Sequence, residues 1–299
     1  MLEFEKCFAT EESCRKYIYQ MRWPEGFICP YCNHREYWPR KKGQYQCKSC
    51  RYRISVTAGT IFQDTRIPLR LWFRAIWQVV SQKHGISALG LQQILGINTY
   101  ETVWTMMHKL RIAMVRPGRD RLEGPVQVDE IYMGGKRSGK RGRGAEGKTL
   151  VLIAVEDRNK RPGRIRLHKI KDASGKSLIT AIKESVQPKS EVRTDGWDGY
   201  SKLSSSDYQH TIIRQTADVG DNLLPLVNMT VSLLKRWLQG THQGAPRPSH
   251  LDYYLSEFVF RFNRRTSRSR GLLFYRLIQQ AVNIAPVRGK DICGIARSK

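Results

Sequence analysis

No stretch of this chain approaches the run of about 20 apolar residues that a bilayer-spanning helix needs, which argues against a helical membrane protein. Residues Met1 to Gln20 lack the basic-then-apolar pattern of a secretory signal, so export is not expected. Acids are scarce: 26 Asp+Glu face 52 Lys+Arg, a formal net charge of +26 over 299 residues. That imbalance disfavours a polycationic partner and favours a polyanion, nucleic acid before a membrane surface. The bland alternative is a ribosome-like or merely well-solvated basic protein. Internal repeats are absent, which excludes a solenoid. Cysteines number seven, and four of them fall into paired C-x-x-C spacing. Such pairs suit a metal in a reducing compartment better than a disulfide framework. Cys7, Cys14 and Cys293 show no such pattern and read as buried or free thiols.

The length allows a full core and two or three domains. Thr10 is a candidate N-cap, with Glu11 and Glu12 in the first turn, for a short helix to about Met21. Cys29-Pro30-Tyr31-Cys32 follows, then fourteen residues, then Cys47-Lys48-Ser49-Cys50. Knuckles of this kind on consecutive hairpins bring four thiolates to the tetrahedral geometry that Zn²⁺ accepts. With no open coordination position, one structural zinc is expected on Cys29, Cys32, Cys47 and Cys50. Tyr37, Trp38, Tyr45 and Tyr52 are expected to fill the space between the knuckles. Residues 1–60 thus read as a zinc ribbon with an N-terminal helix.

Residues 61–118 read as helical. Leu69, Trp72, Phe73, Ile76 and Val80 make one apolar stripe. Ser87 can cap a short helix through Leu95, Gly96 makes a turn, and Thr99 can cap a third helix. Val103, Met106, Met107, Leu110 and Met114 form the inner face of that third helix. Short helix, glycine turn and longer helix form a helix-turn-helix pattern. It would leave His108, Lys109 and Arg111 on or beside the outer surface, in reach of DNA; the competing reading is a helical linker with solvated charges.

Arg116-Pro117-Gly118 breaks the helix, and a domain boundary is expected near residues 116–125. A strand leads through Val126 and Val128 to Asp129-Glu130. The segment from Gly134 to Lys148 is rich in glycine and cations and cannot pack a core. Lys136, Arg137, Lys140, Arg141, Arg143 and Lys148 could lie along a phosphate backbone or simply decorate a hairpin tip. Strands follow at 150–155 and 164–170, a helix at about 175–186, a strand ending at Asp195 and another near 210–214. Helices close the pattern from Pro225, from Leu251, and from Leu272 to Val282. Three strands, helix, strand, strand and helices fit a mixed α/β sheet of the ribonuclease-H type over residues 125–286, with a loose basic tail at 287–299. Asp129 and Asp195 each fall at or near a strand end, where a metal could sit.

These pieces resemble the zinc-ribbon insertion-sequence transposases of the ISXO-like group. The matching motifs include Arg22-Trp23-Pro24-x-Gly26-Phe27-x-Cys29-Pro30, Val128-Asp129-Glu130, and Gly134-Gly135-Lys136. Further along come Thr194-Asp195-Gly196-Trp197-x-Gly199-Tyr200, Leu234-Lys235-Arg236-Trp237, Gly240-Thr241-His242, and Phe258 through Arg265. Each is weak alone, but the ordered set is specific. The resemblance implies a ribonuclease-H-like domain that cuts and joins double-stranded DNA at the ends of a mobile element. It also implies a cytoplasmic, nucleoid-associated prokaryotic protein that assembles as a homo-oligomer on DNA.

Phosphodiester hydrolysis and transesterification suit two Mg²⁺ or Mn²⁺ ions roughly 4 Å apart. In the resemblance, Asp129 matches the family's first acid and Asp195 the second. The third position, usually Glu and sometimes Asn, aligns with Asn228. Glu130 points to the opposite strand face and is left out of the metal site. On the helix from Pro225, Leu226, Thr230, Leu233, Leu234 and Trp237 are expected to be buried. Asn228 and Lys235 share the other face, roughly 10 Å apart along the axis. Lys235, with Arg236 beside it, would grip a phosphate. The expected activity is therefore a DNA transposase, and the alternative is a catalytically impaired or repurposed DNA-binding protein.

Overall fold

The computed structural model describes residues 2–134, 148–215, 222–244 and 246–294. They form two compact units, Met1–Arg116 with Ser267–Lys299, and Pro117–Thr266.

The first unit opens with α1 (Leu2–Cys7) and α2 (Glu11–Arg22). Thr10 caps α2 as expected: its hydroxyl accepts from the Ser13 amide at 3.1 Å, and Ser13 Oγ accepts from the Thr10 amide. Three short strands, β1 (Tyr37–Arg40), β2 (Gln44–Cys47) and β3 (Arg53–Ser55), form an antiparallel sheet. Helix α3 (Leu69–Ser81) buries the stripe read from the sequence, Leu69, Trp72, Phe73, Ile76 and Val80. Pro68 cannot cap it, and the Glu11 carboxylate does so from α2, accepting from Leu69 N at 2.9 Å and Arg70 N at 3.3 Å. Then come α4 (Ala88–Leu95), capped by Ser87, a left-handed Gly96 at φ +65°, and α5 (Tyr100–Ala113). Thr99 precedes α5 but makes no side-chain capping bond.

The second unit is a five-stranded sheet in the order β6-β5-β4-β7-β8. Its strands are β4 (Val126–Met133), β5 (Thr149–Asp157), β6 (Pro162–Ile170), β7 (Glu191–Thr194) and β8 (Gln209–Ile212), with α6 (Gly175–Ser185) between β6 and β7. β4, β5 and β6 form an antiparallel meander, while β7 runs parallel to β4 and β8 parallel to β7. β5 is apolar from Leu150 to Val155 and is buried on both faces there, as a central strand must be. One face, with Val126, Val128, Leu152 and Ala154, packs on α6, Tyr200 and Leu203. The other, with Met133, Val151, Ile153 and Val155, packs on α7 (Pro225–His242) and α8 (Leu251–Phe262).

The chain then returns to the first unit through α9 (Arg270–Asn283) and α10 (Gly289–Gly294). Here the structure corrects two boundaries. Residues 267–286 belong with the N-terminal residues, not with the mixed sheet, and the stretch read as a loose tail contains a helix. Phe274 of α9 sits in an aromatic cluster with Phe4, Phe8 and Phe73, ring centroids 5.3, 5.4 and 5.5 Å away. Burial of an amphipathic face outweighs nearness in sequence, so α9 docks where aromatic surface needs covering.

Candidate functional site

The four paired cysteines converge. Sγ atoms of Cys29 and Cys50 lie 3.6 Å apart, those of Cys32 and Cys47 3.5 Å apart, and all four fall within 4.8 Å of one another. Zn–S bonds of about 2.3 Å give tetrahedral edges near 3.8 Å, close to this spacing, whereas a disulfide requires about 2.05 Å. The His34 backbone amide draws the Cys32 thiol down to about 7. Against the Tyr52 backbone amide, desolvation and hydrogen bonds among the same four sulfurs push Cys50 up to about 12, as close packing of thiols requires. Behind the knuckles, Tyr37 packs on Phe27 at 5.0 Å and on Tyr45 at 4.9 Å. Trp38 and Tyr52 do not join that filling. Trp38 lies under the Arg51 guanidinium at 4.5 Å, and Tyr52 is 45% exposed. Tyr19 and Trp23 take their places, with ring centroids 5.3 and 5.7 Å from that of Tyr45.

In the second unit, alternation along β4 separates adjacent acids. Gln127, Ile131 and Met133 face α7 and α8, and Asp129 shares their parity. Glu130 points the other way, where it accepts the Tyr200 hydroxyl at 2.6 Å. The parallel register pairs Val126 with Val192 and Gln127 with Arg193, and Asp129 and Asp195 each lie two residues beyond the second of these pairs. Neighbouring strands lie about 4.8 Å apart. Tyr200 reports the same clustering: burial, then Glu130, Asp129 and Asp195, hold its phenol well above the ordinary value, so it remains a donor.

Asp195 sits one residue beyond β7, and its Oδ1 accepts from the Trp197 amide at 3.0 Å. Gly196 turns the chain there at φ +88°, where a Cβ would meet the Ile212 side chain at 2.6 Å. At Gly199 a Cβ would come within 2.8 Å of the Ala173 carbonyl. Trp197 Nε1 donates to that same carbonyl at 3.3 Å, so the tryptophan packs against the sheet. Arg214 approaches Asp195 at 3.8 Å.

α7 is anchored beside this face, because its Leu226 amide donates to Gln127 Oε1 at 3.0 Å, two residues before Asp129. Asn228, one further residue beyond Val227, is exposed, and its Nδ2 donates to Asn222 Oδ1 at 2.6 Å. Lys235 and Arg236 are exposed on the same helix. Its buried side differs in part from the expected stripe: Val227, Val231 and Leu238 are buried with Leu226, Thr230 and Leu234, while Leu233 is 37% exposed. The helix is covered on two sides, by the sheet and by α8, which rotates the stripe.

The outward placement of α5's cations is corrected. His108 is fully buried, Arg111 is 2% exposed, and Lys109 donates to the Ile61 carbonyl at 3.4 Å. α5 is in contact with α3, α4, α9 and α10, more neighbours than a single apolar stripe can serve. Lys148 is partly buried at the start of β5's approach, and Lys136, Arg137, Lys140, Arg141 and Arg143 lie outside the described residues.

The family model described as the ISXO2-like transposase domain matches residues 121–263, and that of the transposase zinc-ribbon domain matches residues 9–53. Over those residues the chain is similar to the ISXO2-like transposases in both domains. A relative from Halobacterium salinarum, named as an uncharacterized protein in transposable element ISH50, is 27% identical over 281 residues, spanning 86% of this chain and 92% of its own. The zinc-ribbon match takes in α2 and all four cysteines. Its transposase-domain match stops at Asn263, whose side chain accepts from Ile165 N at 2.7 Å and donates to Ile165 O at 3.2 Å. Asn263 thereby closes the open edge of β6. That role, and the Tyr200–Glu130 bond, were missed in the sequence; the Asn-Arg-Arg and Gly-Tyr motifs were visible, but not what they touch.

Proposed function

We propose that this chain is a transposase that binds the ends of a mobile element and cuts and rejoins their strands at Asp129, Asp195 and Asn228. The observation that supports this reading is the parallel pairing of β4 with β7, which, continued two residues past Gln127↔Arg193, would bring the two aspartates together on one sheet face. The order of a three-strand meander followed by two parallel strands supports a ribonuclease-H-type domain. The α4–Gly96–α5 arrangement supports a helix-turn-helix, with the zinc ribbon as a second DNA-contacting module.

Hard divalent cations take oxygen donors, and the Asp129 and Asp195 carboxylates fit that requirement. Bound Mg²⁺ or Mn²⁺, two ions in this reading, would activate the attacking oxygen and stabilise charge at the phosphodiester. Asn228 offers a neutral amide oxygen, and Lys235 holds a phosphate farther along α7. Two ends must meet for strand transfer, so the working form is a homo-oligomer on double-stranded DNA in the cytoplasm, at the nucleoid.

Asn228 stands where the family usually has Glu, and this favours a second reading, a DNA-binding protein without cleavage. Replacing a carboxylate by an amide costs on the order of 4 kcal/mol per unit charge at about 4 Å and an effective dielectric of about 20. Element-end DNA with Mg²⁺ or Mn²⁺ separates the two. Nicked and joined products are expected from the wild type and none from Asp129→Ala. A wild type as silent as Asp129→Ala, yet still binding ends, leaves only the second reading.

A further inference from the structure

The zinc knuckles carry a feature that structural zinc does not use. Tyr31, from the first knuckle, and Tyr52, just past the second, lie nearly parallel, 13° between planes and 6.0 Å between centroids. They are 78% and 45% exposed, so water covers aromatic surface that a monomeric fold would ordinarily bury. Arg35, Lys48, Arg51 and Arg53 of the same module are exposed, Arg51 over Trp38 and Lys48 beside Glu36. From Cys29 to Arg53 the chain carries seven Lys or Arg against one acid, Glu36. A second copy of so cationic a module would be repelled.

We infer that Tyr31 and Tyr52 form a stacking platform for unpaired DNA bases, with cations of the same module on the adjoining phosphates. A blunt duplex hides its base faces inside the stack, whereas a frayed or cleaved end presents them. The inference rests on the reading that the ribbon contacts DNA. The test is fluorescence anisotropy of the full-length zinc-loaded protein on a single strand, a blunt duplex and a duplex with an unpaired overhang. Tyr31→Ala/Tyr52→Ala is expected to weaken single-strand and overhang binding about tenfold to hundredfold. Blunt-duplex binding should change by less than about twofold, and Tyr31→Phe/Tyr52→Phe should retain wild-type affinity because the ring faces remain. Zinc content, measured on each variant, checks that the ribbon is intact. Equal weakening on all three DNAs, or an alanine pair that binds single strands like the wild type, overturns the platform. Wild type that binds none of the three sinks the DNA-contacting reading itself. Self-association lost in the alanine pair, without loss of strand binding, assigns the rings to another copy and also overturns the platform.

A separate observation concerns the aspartates. Tyr200 belongs to the segment that carries Asp195, and its hydroxyl reaches Glu130, whose amide donates to Asp129 Oδ1 at 2.8 Å. We propose that Tyr200 is a positioning residue that fixes the Asp195 loop against the strand bearing Asp129. This rests on the metal site proposed above. Mn²⁺ binding to the full chain, followed by electron paramagnetic resonance, is the readout. Tyr208→Phe is the control, since Tyr208 donates to the Val186 carbonyl at 3.1 Å in the same core without touching a carboxylate. Tyr200→Phe should raise the Mn²⁺ midpoint about fivefold or more and Tyr208→Phe less than about twofold, the loss expected of one mispositioned ligand. If Tyr200→Phe does not fold, Glu130→Ala carries the same expectation. Equal shifts in test and control, or none in the test, overturn the role. An Asp129→Asn chain that binds Mn²⁺ like the wild type would instead remove the metal site.

Discussion

Asn263 supplies both a donor and an acceptor to the outward backbone of Ile165 on the edge strand β6, in place of a sixth strand. Asn263→Ala leaves both groups unsatisfied and is expected to lower stability by about 1–3 kcal/mol, read as the denaturation midpoint. Glu156, 1% exposed, behaves differently because it is charged. Burial raises its pKa, but hydrogen bonds from Arg164 and from the Glu123 amide more than offset that, and the net shift is downward. A depressed carboxylate contributes stability that is fully present above its unfolded pKa of about 4.3 and is lost as pH falls through the folded value. Thermal midpoints should therefore fall as pH drops below about 4.3, and Glu156→Gln should flatten that slope.

Among elements, α9 has consequences that its sequence position conceals. Its Phe274 is 3% exposed and meets rings from α1 and α3. Phe274→Ala is expected to cost the first unit about 3–5 kcal/mol, measured by denaturant titration. Ending the chain at Thr266 should expose that aromatic cluster and abolish cooperative unfolding of the first unit while the mixed sheet persists; a truncated chain with both transitions intact would refute the packing. α5 shows the same logic from the inside. Its buried His108 and Arg111 exchange a contact at 3.5 Å on a helix packed against α3, α4, α9 and α10. Helical periodicity distinguishes one apolar side, and a helix covered on two sides carries polar residues that local patterning assigns to water.

Over the whole molecule the dominant quantity is charge. A net +26 predicts binding to non-specific duplex driven by counterion release. If six to ten phosphates are neutralised, affinity should fall about 10³- to 10⁵-fold between roughly 50 and 200 mM salt, as measured by titration. Among the described residues no helix is long and apolar enough to cross a membrane. Sequence alone determined what is written locally: the thiolate quartet in Cys29, Cys32, Cys47 and Cys50, the strands of the sheet, the stripes of α3 and α5, and the ordered motifs of the family. It also separated Asp129 from Glu130, because strand alternation is a property of adjacent residues. Tertiary structure decided that β7 pairs in parallel with β4, that α9 packs into the first unit, that His108 and Arg111 are enclosed, and that Tyr52 stacks outside on Tyr31. The reason is physical: strand register and the second covered side of a helix depend on contacts between distant segments, and no local period records which surfaces will meet.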